Sequence, residues 1–66
     1  MESVTIFVRR RKITRQGAKV EGYQVGFTRG AGGATSTSKE DAIEYQRGVA
    51  KRYGFTVEQI VEEPNR

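Results

Sequence analysis

Six cations fall between residues 9 and 19 with no acid among them: Arg9, Arg10, Arg11, Lys12, Arg15 and Lys19. The chemistry open to such a run is recognition of a polyanion. Like charges held close together repel in the free protein, and approaching phosphates relieve that repulsion while releasing their counterions. Gln16-Gly17-Ala18 interrupts the run as a hairpin turn in which Gly17 takes a positive φ. The charges therefore span the end of one strand, a turn, and the start of the next. Alternate residues on a strand share a face. Arg9 and Arg11 are expected to project together, with Lys19 flanking them across the hairpin. Two other readings stand beside this one: a solvated strand edge that resists aggregation, and a contact surface for an acidic protein.

Other chemistry is narrowly bounded. The chain has neither cysteine nor histidine. That leaves no disulfide framework, no thiolate or imidazole metal site and no histidine acid–base catalyst. Its acids form no pair at a recognisable catalytic spacing. Ser38 beside Lys39 is explained by helix capping. Arg29 to Ser36, RGAGGATS, matches neither GxxxxGK[ST] nor GxGxxG after a strand. The expectation is a binding protein rather than an enzyme, without cofactor or metal.

The net charge is +4 over 66 residues, and it is unevenly placed. Up to Ser38 the cations are opposed only by Glu2 and Glu21; from Lys39 onward acids slightly outnumber them. This asymmetry again suggests a polyanionic partner. Sixty-six residues suit one small domain, here 1–63 with a frayed 64–66 tail, of a size that gains from a partner or a second copy. No apolar run reaches the ~18–20 residues of a membrane span. The apolar run of MESVTIFVRRRK precedes its charges, the reverse of a secretory signal, and a cytoplasmic location is expected.

The elements that must position the cations can be read from periodicity. Ser3 to Arg9 is a strand with Val4, Ile6 and Val8 on one face and Thr5, Phe7 and Arg9 on the other. Phe7 then either folds over the sheet edge or packs under the tail, or stands as an exposed aromatic at a binding surface. Val20 to Arg29 is a second strand, with Tyr23, Val25 and Phe27 facing the core and Gly26 on the open face. A short third strand is expected around Ala34 to Ser36. Thr37 to Gly54 reads as the single long helix, capped by Thr37 or Ser38 and ended by Gly54. Its inward stripe is Ala42, Ile43, Gln46, Val49, Ala50 and Tyr53. Tyr45, Gly48 and Arg52 lie on the outer side. Phe55 to Glu62 fits both a strand, with Phe55, Val57 and Val61 alternating, and a helix with Thr56 and Gln59 as a capping box. The strand is favoured because it would complete a sheet. The fold class expected is α+β: a two- to three-stranded antiparallel sheet packed on one helix, with an extra C-terminal strand.

The order of strand, basic hairpin, Gly-x-Tyr-x-Val strand, loop and Ser-Lys-Glu-Asp-Ala helix resembles the N-terminal arm-binding domains of tyrosine-type phage integrases and, more distantly, plant AP2 domains. Gly22, Tyr23, Val25, Lys39, Glu40, Ala42 and Tyr45 carry the resemblance. It implies a three-stranded sheet on one helix, with the sheet laid in a DNA major groove. The stretch Ala34 to Ile43 also resembles small uncharacterised bacterial domains with strand–strand–helix–strand order, which implies no function.

The first expectation is therefore a small nucleic-acid-binding protein, with DNA the leading candidate and a phage or mobile-element setting. Arg9, Arg10, Arg11, Lys12, Arg15 and Lys19 would contact phosphates. The alternative is a protein-binding module, inhibitor or homodimer that uses Tyr45, Gly48 and Arg52. Glu58, Glu62 and Glu63 would oppose DNA if they lay beside the hairpin.

Overall fold

The computed structural model describes residues 2–29 and 33–63. The 64–66 tail and part of the glycine-rich link fall outside them. Strand β1 is Ser3–Arg15, β2 is Ala18–Gly26, β3 is Thr35–Ser36, helix α1 is Lys39–Tyr53 and β4 is Thr56–Glu62. They form one sheet in the order β3-β2-β1-β4. The β1–β2 and β2–β3 pairs are antiparallel, and β4 runs parallel to β1. The α+β class is as expected, but the sheet is four-stranded and mixed. Its two edge strands, β3 and β4, are joined by α1, which must cross the sheet and so covers one face.

The β1–β2 hairpin closes through Gln16 and Gly17, whose φ values are 53° and 79°. Positive φ at both positions is what a two-residue type I′ turn needs to match strand twist. The β2–β3 return brings Ala34 O to accept from Val25 N at 2.9 Å. Gly33 packs so closely on the Val25 carbonyl that a Cβ there would overlap it.

Helix α1 begins where Ser38 Oγ accepts from Asp41 N at 3.3 Å. Ser38, not Thr37, is the cap, and Ser36 Oγ in turn accepts from Ser38 N at 3.1 Å. Glu40 and Asp41 sit at the positive end of the helix dipole, and Lys51 and Arg52 at the negative end. The helix stops at Gly54, φ 78°, where Gly54 N donates to Lys51 O and Phe55 N to Ala50 O. That pair of bonds is a Schellman motif, and it turns the chain directly into β4.

The core lies between α1 and the sheet. Ile6, Val8, Val25 and Ala42 are buried, with Tyr23, Phe27, Ala34, Ile43, Val57 and Ile60 packed around them. Each fully buried Val or Ile is worth about 1.5–3 kcal/mol of removed apolar surface. The helix buries Ala42, Gln46 and Ala50, and the two alanines let it approach the strands closely. Tyr53, expected in the inward stripe, is 69% exposed. It is the last residue of the helix and stacks on Phe55 with centroids 5.8 Å apart.

Strand β4 departs from simple alternation. Val4 pairs with Val57, but Thr5 pairs with Gln59, so Glu58 is an extra bulged residue. Val57 and Ile60 consequently both reach the core, and Val61 lies opposite Phe7. The expected Phe55–Val57–Val61 face is broken at Glu58.

Candidate nucleic-acid interface

Residues paired directly across neighbouring strands share a face. Val8 opposite Val25 marks the helix side of the hairpin, so Phe7 opposite Gly26, Arg9 opposite Gln24, Arg11 opposite Gly22 and Arg15 opposite Ala18 mark the other side. No element among the described residues covers that second face. Arg9, Arg11 and Arg15 stand along it in a single row. Every β2 residue facing them is uncharged: Ala18, Val20, Gly22, Gln24 and Gly26.

The remaining cations of the run point the other way. Arg10 is opposite Tyr23, Lys12 opposite Glu21, and Lys19 opposite Thr14. Lys19 therefore does not flank Arg9 and Arg11; a two-residue turn fixes its register to an even-numbered partner on the helix side. Lys12 also meets Glu21 in an exposed pair at 3.7 Å, a contact worth about 0–1 kcal/mol at most. The expected six-cation patch is in fact split evenly across the two sides of the hairpin. The split follows directly from the period of 2.

Several contacts orient the open row. Arg11 Nη1 donates to Gln24 Oε1 at 3.0 Å, and Arg15 Nη2 donates to the Thr35 carbonyl at 3.3 Å. Ile13, between them, is buried against the flat surface of Gly22. The hairpin is thus stiffened beyond the reach of α1, in a molecule 40 Å long and 17 Å across its thinnest dimension.

Phe7 is half-buried at the inner end of the row. The Arg29 guanidinium lies 4.9 Å from its ring centroid, and Arg29 Nη1 reaches Glu63 Oε2 at 3.5 Å. Arg29 and Phe7 form a cation–π pair. Nothing in the local sequence links residues 22 positions apart; the β1–β2 register sets Phe7 opposite Gly26, and Arg29 follows three residues later. Gln24, 13 residues from Arg11, likewise becomes its partner through the strand register.

The C-terminal acids lie beside the root of the hairpin, not its tip. Glu62 and Glu63 border a shallow hollow with Arg9 and Arg10. Glu63 is engaged by Arg29, and Lys39 Nζ donates to Glu62 Oε2 at 2.6 Å. That hydrogen bond, with the attraction of the carboxylate charge, raises the pKa of Lys39 against a small opposing desolvation.

On the outer side of α1, Tyr45 is 55% exposed. No neighbouring atom comes within 4 Å of a Cβ built at Gly48. Arg52 is exposed on the same side. No helix among the described residues is long and apolar enough to cross a membrane.

No protein-family model, no curated protein and no solved structure matches this chain.

Proposed function

We propose that the chain is a small nucleic-acid-binding protein, without catalytic activity of its own, that contacts phosphates through its basic β-hairpin. DNA is the first candidate ligand, and the integrase resemblance extends the proposal to phage or mobile-element DNA. One observation carries this reading. Arg9, Arg11 and Arg15 form a row on the uncovered sheet face, and the one acid of the hairpin, Glu21, pairs on the opposite side. A concentrated row of guanidinium groups with no hairpin carboxylate on its own face is a device for holding phosphates.

The test is a binding titration against labelled nucleic acid at several salt concentrations. Three neutralised phosphates give a log–log salt slope of about −3 on duplex and about −2 on single strands. Engagement of all six hairpin cations would give about −5 on duplex. An affinity that does not change with salt refutes the reading.

A second reading, a protein-binding module, is favoured by exposed Tyr45 beside the open surface at Gly48. Chemical-shift mapping separates the two. Nucleic acid should move residues 9–15 and leave residues 45–52 in place.

A further inference from the structure

We infer that the open sheet face takes a single strand of nucleic acid rather than a duplex, an inference that rests on the nucleic-acid reading above. The first ground is the geometry of charge. A duplex groove is walled by two rows of phosphates, with a major groove about 12 Å wide. The open face offers one row, Arg9, Arg11 and Arg15, all from β1, while the facing β2 residues carry no charge. One row of cations matches one backbone.

The second ground is Phe7, which continues the same row inward. Its strand neighbours on that face are Gly26 on β2 and Val61 on β4. The ring therefore has two uncharged strand neighbours, one of them a glycine, with the Arg29–Glu63 pair beside it. A planar cation, the Arg29 guanidinium, already lies 4.9 Å from the ring centroid. A group of that shape marks where a base would stack. Arg29 is held there at 3.5 Å by Glu63, the arginine exposed and the carboxylate side chain largely buried, and a base that displaces it leaves Arg29 beside the strand as a further phosphate ligand. A cationic track combined with aromatic stacking is the general means of holding single strands. From Phe7 to Arg15 the track is about 26 Å long at ~3.3 Å per residue, which suits the low end of the ~4–16 nucleotides held by a small single-strand-binding domain.

The experiment compares a labelled oligothymidylate with a duplex of equal length by fluorescence anisotropy, for the wild-type chain and Phe7→Leu. Phe7 ring protons are followed by NMR in the wild type, so that the result does not depend on the variant folding. Tighter binding of the single strand, a loss of about 5- to 100-fold for it in Phe7→Leu, and an upfield shift of the ring protons are the expected results. Duplex bound as tightly as the single strand overturns the inference and leaves the proposed function standing. So does a single-strand preference with unmoved ring protons. Failure to bind either ligand removes the proposed function itself.

Discussion

The side chain of Ile13 lies flat across Gly22 on the uncovered face of the sheet. A Cβ at residue 22 would come within 2.5 Å of Ile13 Cδ1 and 3.0 Å of the Ser36 carbonyl oxygen. The glycine is what allows Ile13 to be 93% buried, at 7% exposure, without a second layer above it. This one contact ties the far half of β1 to β2 and keeps Arg11 and Arg15, on either side of Ile13, in line.

Gly22→Ala should therefore destabilise the fold by about 1–3 kcal/mol, the usual cost of overpacking. Ile13 must leave its position, because the Ser36 backbone cannot. In a double-mutant cycle with Ile13→Ala the two losses should not add. Urea denaturation of the four proteins measures this; simple additivity would show that the two residues do not press on each other.

Gly48 is the opposite case. With nothing within 4 Å of its missing Cβ, Gly48→Ala should stabilise the helix by about 1 kcal/mol. That corresponds to a rise in thermal midpoint of about 4–8 °C for a domain of this size. A loss of stability would mean that another backbone packs on the outer side of α1 in solution, which would strengthen the protein-binding reading.

Most of the scaffold was legible because its signals are local. Ser38, Gly54 and the apolar stripe define α1, Gly17 defines the hairpin, and Val4, Ile6 and Val8 define the core side of β1. The C-terminal segment was ambiguous for a physical reason. The bulge at Glu58 sends Val57 and Ile60 to one side at a spacing of three, which imitates a helical period. The charge run misled in a different way. The six cations lie within eleven residues, yet a strand sends neighbours to opposite faces, so only Arg9, Arg11 and Arg15 share the open one. Partners set by long-range register, Arg11 with Gln24 and Arg29 with Phe7, leave no trace in a sequence read locally.

The Lys39–Glu62 bond ties the start of α1 to the end of β4. Its carboxylate raises the Lys39 pKa above the ordinary 10.5. A raised pKa stabilises the folded state while the lysine is protonated. The contribution is therefore complete below 10.5 and lost as pH rises through the higher folded value. It is small, since the pair lies on the surface. In an NMR titration of the Lys39 side chain, Glu62→Gln should return the midpoint to the ordinary lysine range. An unchanged midpoint would mean that the bond does not persist in solution.

The decisive measurement compares two triple variants that remove the same number of positive charges. Arg9→Gln/Arg11→Gln/Arg15→Gln strips the open face, and Arg10→Gln/Lys12→Gln/Lys19→Gln strips the helix side. Affinity for nucleic acid and its salt slope are measured for both, after circular dichroism shows each to be folded. The first variant should lose nearly all of the slope, about 2–3 units, while the second should keep most of it. Equal losses from the two would contradict an interface confined to the open face, and a greater loss from the second would place it on the wrong side of the sheet.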